Sequence, residues 1–279
     1  MSNLRFGYNM RIYRPGIWYL NPYLNDSNPT NISQGNSHLD SEKSHSFNLS
    51  YSNFTQKFNI NLSARYSFTN NSIEQVTEQV KDTEIEGLQN PTGKEVLYST
   101  YQNIGKSRNA SLSGYVNWNA TSNTRIYANL YGNYTYMEGA NGLKNDGWNL
   151  FAYGGAQQSL PHDWRISLNI YGQTPWIMLQ GKGSSFFDYG LSVNKSFLNK
   201  RLTLSAFASN FFKKYTSPTS SIEGVGFTQD SWNRYTRQRF GVSVSYRIGE
   251  LKASVKKAAR TISNDDVKGG GGEGGGGGE

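Results

Sequence analysis

The chain has 279 residues, carries a formal net charge of +8 and contains no cysteine, which excludes a disulfide scaffold, a Cys-ligated zinc site and a thiol nucleophile. Tyrosine, asparagine, serine and glycine are abundant, whereas leucine and alanine are sparse for a soluble domain with an aliphatic core. The many aromatic residues argue against general disorder, because disordered chains are depleted in them.

Alternation of apolar and polar residues is the main pattern along the chain. From Phe58 to Phe68 every even position is apolar and every odd position is polar, and the pattern recurs around 126–136, 164–171 and 240–247. A strand with this period has one apolar and one polar face. The pattern predicts ten antiparallel strands: 3–13, 44–53, 57–70, 96–118, 123–136, 146–158, 163–174, 186–197, 201–211 and 232–248.

The predicted strands and connections favour a transmembrane β-barrel. Several strands match or exceed the 9–11 residues that cross a bilayer when tilted. Short turns alternate with long connections, as in outer-membrane barrels, whose turns are periplasmic and whose long loops are extracellular. An open edge is not tolerated in lipid, so these strands must close alone or with others. The predicted long connections are 14–43, 71–95, 137–145, 175–185 and 212–231.

The orientation of one strand is ambiguous from its sequence. In 146–158, Phe151 and Tyr153 compete with Leu150 and Ala152 for the apolar face. In the other strands, the inward face carries asparagine, serine, threonine, tyrosine and arginine, which suits water or a polar plug. The arginines expected on that face include Arg65, Arg125, Arg165, Arg239 and Arg247.

The two termini differ from the body. Residues 1–249 are predicted to form the barrel segment, and 250–279 a periplasmic amphipathic segment followed by a glycine-rich disordered tail. The segment Met1–Arg5 has no apolar signal-peptide region. We therefore expect the chain to be part of a longer exported protein.

Catalytic and cofactor motifs are missing from the sequence. No G-x-S-x-G, H-E-x-x-H or P-loop pattern occurs, and the histidines are His38, His45 and His162. The pair His162-Asp163 resembles a catalytic pair most, but it lies in a short turn, at the end opposite to the long loops. We expect no enzyme activity, no cofactor, no metal site and no nucleic-acid binding.

Ligand contacts are expected from aromatic residues in the long loops, because loops carry recognition and aromatic faces stack on sugars or apolar groups. The candidates are Trp18, Tyr19, Trp176 and Trp232. Aromatic residues also collect at membrane interfaces regardless of function, so packing within the loops or an interfacial belt is the alternative.

A resemblance to a known family rests on the segment Arg14-Pro-Gly-Ile-Trp-Tyr-Leu-Asn-Pro-Tyr23, followed by Asn28-Pro29, Gly35-Asn36 and Leu39. It resembles a signature in the barrels of TonB-dependent receptors, particularly the outer-membrane β-barrel family abundant in Bacteroidota. The stretches Lys195–Leu204 and Lys252–Val267 are also similar to the late hairpin and C-terminus of those proteins.

The resemblance implies an outer-membrane barrel of about 22 strands with an N-terminal plug domain, powered through TonB for uptake of a scarce nutrient. This chain would be its C-terminal part, located in the outer membrane, in contact with lipid and lipopolysaccharide, and its nutrient ligand cannot be identified from the sequence. The alternative is a free-standing small outer-membrane barrel, acting as an adhesin, a structural protein or, least favoured, a protease at the rim.

Overall fold

The computed structural model describes residues 2–139 and 142–249, together with the backbone of 267–268. Each of its ten long strands pairs antiparallel with the next one along the chain, which confirms the predicted all-β antiparallel architecture. The strands are β1 (Ser2–Pro15), β2 (Glu42–Phe54), β3 (Phe58–Lys81), β4 (Glu95–Asn119), β5 (Thr124–Glu138), β6 (Lys144–Leu160), β7 (Trp164–Gln173), β8 (Phe186–Phe197), β9 (Leu202–Ser209) and β10 (Arg239–Tyr246).

Short elements lie between the long strands. The only helical segments among the described residues are α1 (Ile17–Leu20) and a 3-10 turn (Asp82–Glu84), and neither is long and apolar enough to span a membrane. The short strands are Leu24–Asn25, Asn31–Gln34, Ile177–Met178, Gly181–Lys182, Tyr215–Thr216, Thr219–Gly224, Phe227–Trp232, Tyr235–Thr236 and Val267–Lys268. The predicted amphipathic segment and glycine-rich tail fall outside the described residues, apart from 267–268, which pair with Arg14 and Pro15.

Two predicted boundaries are wrong at the ends with long loops. Pairing of β3 with β4 continues across a bulge after Thr69 as far as Lys81 and Glu95, so residues 71–81 are strand rather than loop. The predicted last strand, 232–248, begins only at Arg239, because Phe227–Trp232 pairs instead with Thr219–Gly224 in a hairpin. We call the prolonged part of β3 and β4, residues 72–81 and 95–105, the extension.

The two faces of the sheet separate as the alternation predicts. Directly paired residues share a face, and Leu130 pairs with Gly114 and Ala152 on what we call the apolar face. Tyr153 pairs with Asn129 on the polar face, which resolves the ambiguity in β6. Exposed side chains on the apolar face include Leu4, Phe6, Leu49, Leu62, Leu112, Leu130, Leu150, Leu168, Val242 and Val244.

The strands are inclined to the ends of the sheet. A row of directly paired residues begins at Leu4, near the end with short turns (the turn end), and reaches Gly172, near the end with long loops (the loop end). Such a stagger is the geometry of a barrel wall. In order, the row contains Leu4, Tyr51, Leu62, Gly114, Leu130, Ala152, Gly172 and Phe187.

The sheet is open within the described residues. One edge of the sheet is β10. At the opposite side the outermost long strand is β1, whose outer side is paired only at Arg14 and Pro15. Strands β1 and β10 do not pair with each other. The described residues therefore form a curved wall of ten long strands rather than a closed barrel.

Buried hydrophobic side chains concentrate at the loop end. Ile32, Ile85 and Val96 form one cluster, joining the loop between β1 and β2 to the extension. The remaining buried hydrophobic residues among those described are Ile73, Val76, Ile177 and Leu179. This end is packed in the manner of a soluble domain, whereas the rest of the wall exposes its apolar side chains.

Candidate functional site

The predicted loop aromatics occupy three separate loops. Trp18 is exposed on α1, Trp176 lies just before the strand Ile177–Met178, and Trp232 is exposed at the end of the hairpin 219–232. Gly183 fits against Trp176, because a Cβ at this glycine would lie 2.0 Å from the indole ring. The structure gives no contact among these three rings, so ligand contact by them stays a prediction.

Tyr19, the fourth candidate, is packed against the extension. Its ring lies 4.4 Å from that of Tyr101, centroid to centroid. Burial raises the pKa of Tyr19, and the nearby carboxylates of Glu42 and Glu74 raise it further. Tyr19, Tyr101 and Glu74 line a cavity of about 280 Å³ together with Ile177 and other residues of the loop end. Of the four candidates, Tyr19 is the one that lines this cavity.

Local geometry explains the family-like segment that surrounds Tyr19. The N–H groups of Gly35 and Asn36 donate to the carbonyls of Asn21 (3.0 Å) and Tyr19 (2.7 Å). A Cβ at Gly35 would lie 2.4 Å from the Asn21 carbonyl oxygen, so only glycine fits. The Asn36 side chain donates to the carbonyl of Tyr101 at 2.9 Å. The Gly35-Asn36 pair thus closes the loop on itself and fastens it to the extension.

Gln180 joins the loop between β7 and β8 to the extension. Its amide accepts from the Thr77 N–H at 2.7 Å and donates to the Thr77 carbonyl at 2.8 Å. Its backbone carbonyl accepts from the N–H of Glu223 at 2.7 Å. One buried residue, through its side chain and its backbone carbonyl, therefore ties together three segments that are far apart in sequence.

A second site lies on the polar face near the loop end. Asp188 forms an ion pair with Arg237, and the Asn210 side chain donates to the Asp188 carboxylate at 2.7 Å. The Arg237 guanidinium lies over the rings of Phe186 (5.3 Å) and Tyr235 (5.2 Å). These residues line a cavity of about 540 Å³, together with Asn169, Tyr171, Ser209 and Arg239.

Sequence reasoning identified little of this second site. Arg239 was expected on the inward face, and its partner Ser209 confirms that position. Asp188 and Arg237 are 49 residues apart, and neither has a local pattern that marks it. The alternation in the sequence marks the aromatic residues of the wall, but only the pairing of the strands shows which of their rings contact each other.

The His162-Asp163 pair lies in the turn between β7 and its neighbour β6, as predicted. Both residues have positive φ, at 59° each. The Lys195 side chain donates to the carbonyl of His162, and Lys200 Nζ lies 3.9 Å from Asp163 Oδ1. These contacts join the turn to the end of β8 and to the turn that follows β8. Among the described residues, no group of three His, Asp or Glu side chains is placed to hold a metal ion.

Known proteins share this architecture. The copper transporter OprC is 14% identical, with a TM-score of 0.59, over 88% of this chain and 37% of that structure. A mutant of the ferric enterobactin receptor PfeA from Pseudomonas aeruginosa is 15% identical, with a TM-score of 0.54, over 88% of this chain and 38% of that structure. The chain thus spans less than two fifths of either structure, and the likeness shows the fold.

No curated protein matches the sequence closely. The model of the outer membrane protein beta-barrel family matches residues 1–246, which cover all ten long strands. The outer-membrane location that this family implies agrees with the exposed apolar face, the inclined strands and the alternation of short turns with long loops. The chain therefore belongs to the outer membrane protein beta-barrel family and is a protein of the bacterial outer membrane.

Proposed function

We propose that this chain is the C-terminal barrel wall of a TonB-dependent outer-membrane receptor that takes up a scarce nutrient. The observation that carries the proposal is the open wall, with its apolar face outside and, within the described residues, two outermost long strands, β1 and β10, that lack a full-length partner on their outer sides. Unpaired backbone groups have no water to bond with in lipid, so further strands must complete the barrel. A barrel larger than ten strands leaves a wide lumen for a plug and a solute.

The orientation follows from the same features. The loop end faces the outside of the cell and the turn end faces the periplasm, as in other outer-membrane barrels. The polar face lines the lumen, where the plug domain would contact it. At the outer interface, the Arg108 guanidinium lies over the Phe68 ring, and this is the cation that would contact lipopolysaccharide phosphates.

The large solved structures with the same wall support transport rather than catalysis, since one is a copper transporter and the other a ferric enterobactin receptor. Their cargo does not identify the nutrient taken up here. Recognition of a nutrient at the loop end would involve the cavity beside Tyr19 and the exposed Trp18.

The uptake proposal is tested by deleting the whole gene in its host. Growth is compared on media in which iron, copper, cobalamin or one polysaccharide is limiting. We expect a defect restricted to one nutrient, and loss of uptake when an uncoupler removes the inner-membrane energy source. Normal growth on every medium, or uptake that ignores the uncoupler, contradicts the proposal.

The barrel proposal has a separate test that addresses the free-standing alternative. The 279-residue chain is refolded in detergent and run on a gel with and without boiling. A protease-resistant unboiled band of faster mobility would mean that ten strands close alone, and would overturn the larger barrel. We expect no such band, because both edge strands need partners.

A further inference from the structure

The polar face carries a connected set of aromatic rings, for which we propose a neutral saccharide as ligand. We call Tyr127, Tyr153, Tyr171 and Phe186 the ring strip. The inference rests on the proposed function in one respect, namely that the polar face lines the lumen. It goes further by assigning a ligand class and a side of the wall.

The ring strip climbs across four neighbouring strands, from β5 to β8. Ring centroids are 5.7 Å apart for Tyr127 and Tyr153, 6.3 Å for Tyr153 and Tyr171, and 4.8 Å for Tyr171 and Phe186. Because the rows of paired residues are inclined, the strip begins near the turn end and finishes at the loop end. It therefore ends at the cavity of about 540 Å³ that Tyr171 and Phe186 line.

The rings are accessible from the lumen side. Tyr153 and Tyr171 are 41% and 38% exposed, although both belong to central strands. Gly155 allows the ring of Tyr127 to lie close against β6, because a Cβ there would be 2.7 Å from the tyrosine hydroxyl oxygen. Aromatic faces of this kind offer apolar contact without closing the lumen.

Neutral amides and hydroxyls lie between the rings. Asn129 is directly opposite Tyr153, and Gln173 is directly opposite Phe151 and Phe186. The Tyr127 hydroxyl donates to the side-chain oxygen of Asn169. A pyranose ring has an apolar C–H face and hydroxyls around its edge, so rings flanked by amides match both parts of it.

Charge and backbone pairing disfavour two other ligand classes. At the upper end, Asp188 compensates Arg237, whereas near the lower end the Arg125 guanidinium lies over the Tyr127 ring (5.6 Å) and donates to the neutral Asn117 side chain at 2.5 Å. An anionic chelate would need several cations gathered around the rings, whereas Arg125 lies at the lower end of the strip and Arg239 lines the cavity at its upper end. A peptide adding a strand would need an unpaired edge, whereas β5 to β8 are paired on both sides.

Strands β2 and β3 lack these features over most of their length. On their polar face, the alternate positions from Ser44 to Ser52 and from Asn61 to Thr69 carry only serine, asparagine, threonine and arginine. Small polar side chains suit a flat contact with a rigid domain. Strands β2 and β3 thus suit contact with the plug domain, whereas β5 to β8 carry the ring strip for the saccharide.

The test uses the full-length protein in outer-membrane vesicles, with vesicles from the deletion strain as background. Neutral hexasaccharides of glucose, xylose and mannose are the probes, and equilibrium binding is measured. We expect at least one probe to bind, and Tyr171→Ala to weaken its binding about tenfold, since one ring contact is removed. Tyr171→Phe should retain binding. Tyr51→Ala is the matched control, because Tyr51 is equally exposed, at 38%, but lies on the apolar face.

The outcomes separate this inference from the uptake proposal. Failure of all three probes to bind above background overturns the saccharide site, and so does equal binding by wild type and Tyr171→Ala. A probe that binds but is not accumulated by energised cells sustains the site and contradicts uptake. Uptake of a metal chelate that is unaffected by Tyr171→Ala sustains uptake and overturns the saccharide site.

Discussion

The membrane-spanning wall and the loop end solve the same folding problem in opposite ways. In the wall, apolar side chains such as Leu112 and Leu130 are 62% and 58% exposed, because lipid takes the place of a core. At the loop end, Ile32 is 1% exposed and packs against Ile85 and Val96. Water surrounds that end, so apolar groups have to be buried there. One chain thus carries two kinds of hydrophobic pattern, one for each solvent.

The largest expected effect comes from placing a charge in the loop-end core. Ile32→Asp would bury an unpaired carboxylate and should cost about 4 kcal/mol or more in local stability. The wall does not depend on this core, so the gel mobility of the folded barrel should persist while trypsin added to cells cleaves after Lys81 or Lys94.

Ile17→Asp is the matched control, since Ile17 belongs to the same loop but is 76% exposed. We expect it to behave as wild type. Loss of the folded wall in Ile32→Asp would show that the two regions fold as one unit. It would contradict the statement that the wall is stable without the loop-end core.

The next effect concerns the wall itself. Leu130→Arg places a charge in the middle of β5 on the lipid side and should cost about 2–4 kcal/mol in unfolding free energy. Asn129→Arg, one residue away, points into the lumen and should be tolerated. Urea titration of both variants in lipid vesicles measures the difference. Equal costs would mean that the apolar face does not contact lipid.

The sequence predicts the wall better than the loop end because the wall has one-sided burial. Alternation located all ten long strands, and in β6 the pairing register then placed Phe151 and Tyr153 on the polar face. In the extension both faces are covered: Val76 and Thr77 are adjacent and both buried. Period-two alternation disappears under such two-sided burial, so residues 71–81 were predicted as loop.

The sites were less predictable than the fold, for a related reason. Tyr19 was singled out from its loop, but its contact with Tyr101 depends on the extension that the sequence did not indicate. The Asp188–Arg237 pair joins β8 to the residues just before β10, two strands that are separated in the sheet by β9. Contacts of this kind are set by tertiary geometry, and a local pattern contains no information about them.

A smaller effect is expected for the link between two loop-end segments. Gln180→Ala leaves the N–H and carbonyl of Thr77 without their side-chain partner, which costs about 1–3 kcal/mol when the groups stay buried. Hydrogen exchange at Thr77 should accelerate, with the wall unchanged. Gln79→Ala, an exposed glutamine on the same strand, is the control and should leave exchange at Thr77 as it is in wild type.

The smallest effect depends on pH and concerns the tip of the extension. The Asp82 carboxylate accepts from the N–H and hydroxyl of Thr92 (2.6 and 2.7 Å) and from the N–H of Gly93 (2.7 Å). Burial would raise the pKa of Asp82, but these hydrogen bonds outweigh it and the pKa is lowered. Ionised Asp82 therefore stabilises the loop 82–94 when the pH is above the ordinary aspartate pKa, about 3.9.

That contribution should be lost as the pH falls below about 4 and through the lowered pKa of the folded state, since the unfolded loop binds a proton first. Hydrogen exchange of the amides of Thr92 and Gly93, corrected for intrinsic rates, should accelerate in that range. In Asp82→Asn the exchange should already be faster at pH 7 and should not respond further to acid. A wild-type response equal to that of Asp82→Asn would show that the carboxylate does not hold the tip.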